Sequence, residues 1–179
     1  MELIDIVDEN NNLTGETLER WAAYYAGLWK RTVSCWIMNE NGEVLLQKRT
    51  ANKVRNPNKW AKTGGQVDSG ETAEEAIFRE VKEELGIEIP KEQINVAEIR
   101  KSDDKNRRFL YNFVFVVNYK IEDYILQEDE VAEIKYVTIE DIELARKNSD
   151  SNYTFCDWTD ENFNKEIMLL KSERKKLNI

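Results

Sequence analysis

Histidine is absent from this 179-residue sequence, and its absence removes several kinds of catalytic site. A Ser-His-Asp or Cys-His nucleophile, an imidazole general base and histidine-ligated zinc or iron are all excluded. The only cysteines, Cys35 and Cys156, are too few for a disulfide framework, and we expect both to be reduced and mostly buried. Catalysis by this chain would therefore need carboxylates, Lys, Tyr, Cys or a hard metal ion.

Long apolar runs are missing as well, since none approaches the ~20 residues that a membrane span needs. The first five residues show no basic segment followed by an apolar one, so we expect no signal peptide and a cytoplasmic protein. The net charge of −9 argues against a nucleic-acid polymer as partner, because phosphate backbones favour basic surfaces. It allows small anionic substrates, provided that a cation lies between protein and ligand.

Hydrophobic residues make up 41% of the chain and charged residues 34%, a composition typical of a folded protein. We expect one domain over residues 1–179, of the α+β class, with helices on both faces of a mixed sheet. Asn41-Gly42 between two β-prone runs predicts a hairpin. The other predicted strands are 3–7, 94–99, 109–117 and 134–137, and the predicted helices are 71–85, 138–147 and 160–176.

Three glutamates share one ridge of the first predicted helix. At about 100° per residue, Glu83 lies roughly 60° to one side of Glu80, and Glu84 roughly 40° to the other. Their like charges repel, and within the helix only Arg79 is placed to offset them. A hard cation such as Mg²⁺ binds oxygen ligands of this kind. The alternative is an ordinary solvated helix face, which the triplet alone would favour.

The spacing around these glutamates decides between the two interpretations. Gly65 is followed after five residues by Glu71, then after seven by Arg79-Glu80, and the segment closes with Glu83-Glu84 and Gly86. These letters resemble the Nudix box in full over residues 65–87, and such a match is rare by chance. The strand and helix order of the remaining chain is similar to that of the same family.

The resemblance implies a Nudix-type α/β/α sandwich that hydrolyses a diphosphate linkage with Mg²⁺, or alternatively Mn²⁺. It implies Glu80, Glu83 and Glu84 as catalytic metal ligands, completed by the carbonyl of Gly65. Glu71 and Arg79 would be the supporting pair. A cation neutralises and orients the diphosphate while a carboxylate removes a proton from water. In this family the general base is either a glutamate of the box or one from a later loop. Among the acids of residues 128–133, we take Glu130 as the candidate base.

The family's substrates are typically nucleoside diphosphates linked to another group, so we expect a small-molecule diphosphate. Residues 48–62 carry six cations and no acid, which predicts either a solvated loop or a phosphate-facing rim. From that segment we select Arg49, Arg55 and Lys62 as substrate-binding residues. A basic loop at 101–108 presents the same pair of alternatives. The resemblance also leaves a homodimer open.

Residues 3–10 and 43–49 look like the branch of the family related to isopentenyl-diphosphate isomerases. Those isomerases need a catalytic Cys and histidine metal ligands. The strand leading to the box, residues 60–64, has no Cys, and the chain has no histidine, so isomerase activity is disfavoured. The other alternative to a hydrolase is a Nudix domain that only binds a nucleotide metabolite or a protein. The intact set of glutamates argues against it.

Overall fold

The computed structural model describes residues 2–93 and 96–178, and its chain begins with a small hairpin. β1 (Leu3–Val7) pairs antiparallel with β2 (Leu13–Glu19). Between them Asp8 accepts backbone hydrogen bonds from Asn10 and Asn12, which closes the turn. α1 (Arg20–Tyr25) follows directly. β1 and its turn confirm the predicted strand, whereas β2 and α1 were not predicted.

A mixed seven-stranded sheet forms the centre of the molecule. Its main path runs β5–β4–β3–β8–β7, with β6 paired to β3 and β9 paired to β4. β3 and β8 are parallel, and the other pairs are antiparallel. The strands are β3 (Lys30–Met38), β4 (Val44–Arg49), β5 (Trp60–Ala61), β6 (Thr63–Gln66), β7 (Val96–Ser102), β8 (Arg108–Val116) and β9 (Val131–Val137).

Helices cover both faces of this sheet, because alternate residues of β3 point to opposite sides. Cys35 and Ile37 belong to a core cluster with α2 (Ala73–Leu85). Trp36 and Met38 belong to a second cluster with the helices α3 (Ile139–Lys147) and α4 (Asp160–Lys176). The predicted α+β class and α/β/α layering are therefore confirmed. Within the described residues, no helix combines the length and apolar character needed to cross a membrane.

The helix that carries the glutamates begins and ends as its local sequence predicts. Thr72 and Glu75 form a capping box, so α2 begins at Ala73 rather than at the predicted residue 71. The predicted core-facing stripe, which recurs every four residues, is buried in full: Ala73, Ile77, Val81 and Leu85. The predicted strand 94–99 is observed as β7 from Val96 onward, and residues 94–95 lie outside the described residues.

Gly86 ends α2 in a left-handed conformation, with φ of 69°, and donates its N–H to the carbonyl of Lys82. A Cβ at this position would lie 2.7 Å from the carbonyl oxygen of Ile125. Gly70 has a similar φ of 83°, but a Cβ there would meet nothing within 4 Å. Comparing a substitution at Gly86 with one at Gly70 therefore separates the cost of steric contact from the cost of backbone strain.

Substitution Gly86→Ala should lower the free energy of unfolding by about 2–3 kcal/mol, because left-handed strain adds to a backbone clash. Gly70→Ala should cost about 1 kcal/mol, since it introduces only the strain. Chemical denaturation of both variants measures the difference. Equal losses would show that Ile125 moves aside without cost.

Candidate active site

The first element of the site is a close approach between β6 and α2. Gly65 pairs with Val33 of β3, which fixes the strand backbone. A Cβ on Gly65 would lie 2.0 Å from Oε1 of Glu80, so the Glu80 carboxylate occupies the space that any side chain would need. Burial raises the pKa of Glu80, although Arg79 opposes the shift. The strand thus holds a partly desolvated carboxylate beside its own backbone.

Arg79 connects the carboxylates of the box to one another. Its Nε and Nη2 donate to the two oxygens of Glu71 at 2.8 and 3.0 Å. Its Nη1 donates to Glu80 at 2.9 Å and to Glu83 at 3.2 Å, and Nη2 also reaches the carbonyl of Gln66 at 3.1 Å. The hydrogen bonds with Arg79 hold the pKa of Glu71 below its ordinary value, and those with Glu71 hold that of Arg79 above it.

Glu84 is the deepest of the three glutamates on the ridge, with 5% of its surface exposed. Gln47 of β4 donates to it at 2.7 Å and in turn accepts a hydrogen bond from Thr63 at 2.9 Å. Burial raises the pKa of Glu84 to about 8, against the opposing hydrogen bond from Gln47, and the nearby charges of Glu80 and Glu130 add to the rise. This part of the molecule holds more carboxylate than its own cations balance.

These groups line a cavity of about 270 Å³. Lys53 of this lining forms an ion pair with Glu130, and Arg20 pairs with Glu2 at 2.5 Å. Seven predicted site residues meet here, namely Gly65, Arg79, Glu80, Glu83, Glu84, Glu130 and Arg49. Glu71 is not part of this lining, but it is connected to it through its hydrogen bonds with Arg79. Arg55 and Lys62 line a neighbouring cavity instead.

The donor set suits a divalent cation, since carboxylate and carbonyl oxygens are the ligands that Mg²⁺ prefers. Across residues 2–93 and 96–178, however, no three acidic or cysteine side chains are arranged as a ready-made coordination group. The hydrogen bonds explain why. Glu80 and Glu83 are turned toward Arg79, and Glu84 toward Gln47. The assignment of Glu80, Glu83, Glu84 and the Gly65 carbonyl as metal ligands stays a prediction.

Lys62 has a different environment from the one expected of a phosphate-contacting residue. Its ammonium donates to both oxygens of Glu166, at 2.9 and 3.0 Å, and to Asn112 at 2.7 Å. Arg100 and Trp36 also bond to Glu166, which is 1% exposed. Burial lowers the pKa of Lys62, and Glu166 opposes that shift. The charge of Lys62 is therefore already balanced, and it ties the strand before the box to α4.

Sequence reasoning missed Gln47, which bonds to Glu84, and two residues of the cavity lining, Arg20 and Glu2. Gln47 left a signal, because it is a polar residue that follows the apolar run of β4. Arg20 and Glu2 left none, since each lies far along the chain from the box. Of the basic loop at 101–108, Arg108 lines the neighbouring cavity, whereas Arg107 bonds to Asp103 on another part of the surface.

Comparison with known proteins places this geometry in a family. The NUDIX domain matches residues 28–159. An uncharacterized Nudix hydrolase of Clostridium acetobutylicum is 36% identical over 154 residues, which cover 81% of this chain and 73% of the relative. The crystal structure of DR0079 from Deinococcus radiodurans has a TM-score of 0.67 at 25% identity, covering 83% of this chain and 90% of that one. The chain belongs to the Nudix family of hydrolases, which act on phosphorus-containing anhydrides.

The resemblance to isomerases extends over half of the chain. An isopentenyl-diphosphate Delta-isomerase of Salmonella heidelberg is 38% identical over 90 residues, 49% of each protein. Cys35 is 1% exposed and burial raises the pKa of its thiol, so it is no accessible substitute for a catalytic cysteine. Cys156 is outside both cavity linings, and its thiol contacts the carbonyl of Ala145 at 3.5 Å. The structure therefore offers no support for isomerase chemistry.

A substitution at Lys62 distinguishes its structural contacts from a direct role in substrate binding. Lys62→Met should lower the free energy of unfolding by about 3 kcal/mol, because Glu166 loses one partner of a buried ion pair. The double variant Lys62→Met/Glu166→Gln should recover part of this loss. Thermal or chemical denaturation measures both effects.

Lys59→Met is the matched control, since Lys59 pairs with Asp157 near the surface and should contribute less than about 1 kcal/mol. An unchanged stability of Lys62→Met, together with a raised KM, would instead assign Lys62 to the substrate.

Proposed function

We propose that this chain hydrolyses a diphosphate linkage in a nucleoside diphosphate-type substrate, with Mg²⁺ as its cofactor. The observation that carries the proposal is the cavity of about 270 Å³, which the box glutamates and several cationic side chains line together. Its lining includes Glu80, Glu83 and Glu84 together with the cations Arg20, Arg49 and Lys53. A diphosphate needs both kinds of partner, a bridging cation and direct cationic donors.

The glutamates and the arginines of the cavity have different roles in this proposal. Glu80, Glu83, Glu84 and the carbonyl of Gly65 would hold the divalent cation, which supplies charge neutralisation and Lewis acidity when bound. Arg49 would donate to phosphate oxygens, because its guanidinium is free of any ion pair within the described residues and its Nε bonds only to the carbonyl of Arg55. Arg79 would keep Glu80 and Glu83 oriented through its hydrogen bonds.

Glu130 is the proposed general base. It lines the cavity together with the box glutamates, and Lys53 holds its carboxylate there by an ion pair. A carboxylate in that place would take the proton of a water that attacks phosphorus, while the box glutamates stay committed to the cation. The nearby acid Glu133 pairs with Lys48 outside the cavity lining. Position therefore favours Glu130 among the acids of residues 128–133.

The proposed metal ligands are tested by Glu83→Gln and Glu84→Gln, which keep shape but remove a charged oxygen donor. Each should lower kcat by at least about a hundredfold, because removing a residue that merely supports a metal ligand already costs about 10–100-fold. The assay is release of phosphate or nucleotide from a panel of nucleoside diphosphate compounds, with Mg²⁺, with Mn²⁺ and with chelator. Circular dichroism checks the fold.

Glu88→Gln is the control, since Glu88 forms only an exposed ion pair with Lys82. A double variant Glu83→Gln/Glu84→Gln with wild-type turnover would overturn the ligand assignment. Turnover by the wild type that persists in excess chelator would overturn the metal dependence.

The role of Glu130 predicts a separate kinetic signature. Glu130→Gln should lower kcat by about 10²–10⁴-fold, the range typical of a lost general base, with little change in KM. The pH–rate profile of the variant should also lose its acidic limb. Glu133→Gln, the same change just outside the cavity, should leave kcat unchanged, and a Glu130→Gln enzyme with near-normal kcat would return the role of base to the box.

A further inference from the structure

A second cavity, of about 290 Å³, adjoins the one that holds the glutamates. Both are lined by Arg20, Arg49 and the backbone of residues 64–66, so they meet along β6. A molecule whose diphosphate lies at the glutamates would extend over this strand into the second cavity. What the second cavity presents to a ligand therefore bears on the identity of the substrate.

The charge of the second cavity is the reverse of the first. Its lining includes no aspartate or glutamate but five cations, which are Arg20, Arg49, Arg55, Lys62 and Arg108. Lys62 is balanced by Glu166, and Arg20 is paired with Glu2. The other three form no ion pair with any residue that the structure describes. Arg49 also lines the glutamate cavity, so Arg55 and Arg108 are the arginines left to this one, and in a chain of net charge −9 they favour an anionic ligand.

Unpartnered hydrogen-bonding atoms are concentrated on the same wall. Within the described part of the chain, four buried side-chain atoms have no hydrogen-bond partner in the protein, and all four belong to residues of this cavity: Thr32 Oγ1, Gln66 Oε1, Asn106 Oδ1 and Arg108 Nε. Thr32 and Asn106 are only 7% and 9% exposed. Burying such atoms without partners is costly, so four at one place indicate a site built for a polar ligand.

The cationic side chains in and beside this cavity also lie close enough to repel one another. Burial lowers the pKa of Arg108, opposed by Asp104 from the preceding loop, and the neighbouring charges of Arg55 and Arg100 lower it further. Burial lowers the pKa of Lys30 to about 8, with Arg108 and Arg55 contributing. An anion bound between these groups would relieve their mutual repulsion.

We propose that the second cavity binds a phosphate ester on a hydroxyl-bearing ring, which the substrate carries beyond its scissile diphosphate. This inference rests on the proposed function, because it takes the diphosphate to lie at the glutamates. Arg55 and Arg108 donate to the phosphate oxygens, while the carbonyl oxygens of Asn106 and Gln66 accept from ring hydroxyls. A neutral base alone would leave the arginines unbalanced, and a bare phosphate would leave both carbonyl oxygens without donors.

Binding of ribose 5-phosphate tests the cavity without any hydrolysis. Titration calorimetry of the full chain in chelator, which removes metal from the first cavity, should show ribose 5-phosphate binding at least about tenfold more tightly than ribose, as expected of charge-assisted hydrogen bonds. Arg108→Met should weaken the binding at least about fivefold. Arg55→Met should do the same, and because Arg55 is exposed this variant should fold normally.

Arg107→Met is the matched control, since it removes a neighbouring arginine that bonds to Asp103 away from this cavity, and it should leave the affinity unchanged. Absence of ribose 5-phosphate binding would overturn the proposal. Equal affinity for ribose and ribose 5-phosphate would overturn it as well, and so would unchanged binding by both Arg108→Met and Arg55→Met.

Hydrolysis of matched compounds then separates this inference from the proposed function. Coenzyme A and dephospho-coenzyme A differ by one phosphate ester on ribose, and so do NADP⁺ and NAD⁺. In at least one pair, kcat/KM should be about tenfold higher for the phosphorylated member, and Arg108→Met should remove the preference.

Equal kcat/KM within both pairs, unaffected by Arg108→Met, would overturn the phosphate-ester site but leave the proposed hydrolysis standing. The opposite result is also distinguishable. Ribose 5-phosphate binding that depends on Arg108, without turnover of any of the four compounds or of the nucleoside diphosphate panel, would support the site and count against the proposed function.

Discussion

The arrangement of the site depends on one guanidinium group, that of Arg79. It bonds at once to Glu71 before the helix, to Glu80 and Glu83 on the helix, and to the carbonyl of Gln66 at the end of β6. Loop, helix and strand are thereby fixed to one another at a point where carboxylates would otherwise repel. The planar fork of arginine makes this possible, because a lysine ammonium at the same place lacks two parallel donors for Glu71.

Two cavities that differ in charge adjoin at β6, because residues 64–66 of this strand line both of them. On one side of residues 64–66 the lining is dominated by carboxylates, and on the other it carries arginines and no acid. A ligand bound across the strand is thereby oriented by charge before any detailed fit is made. Gly65 belongs to both linings, so the two cavities adjoin at this residue.

The sequence predicted well those elements whose signals, such as helix caps and apolar spacing, lie within the element itself. The capping box of Thr72, the four-residue stripe and Gly86 all lie within α2 or at its ends, and α4 matches its predicted range. β2 was not predicted because it is exposed along most of its length and shows no alternation of apolar residues. The Lys62–Glu166 ion pair joins residues 104 positions apart. No local pattern reveals such a partner, so the sequence could not show that the ammonium of Lys62 already bonds to Glu166, and its role in substrate binding stays a prediction.

The wall of the glutamate cavity draws on segments scattered along the chain, from Glu2 and Arg20 through Arg49 and α2 to Glu130. Unfolding separates all of them, so a molecule that spans the cavity binds only the folded chain. By mass action, a ligand at a hundred times its Kd adds about 2.7 kcal/mol to the free energy of unfolding, against a total of about 5–15 kcal/mol for a typical domain. A ligand that spans the cavity therefore also protects the chain from proteolysis, because proteases cleave the opened state whose population the ligand lowers.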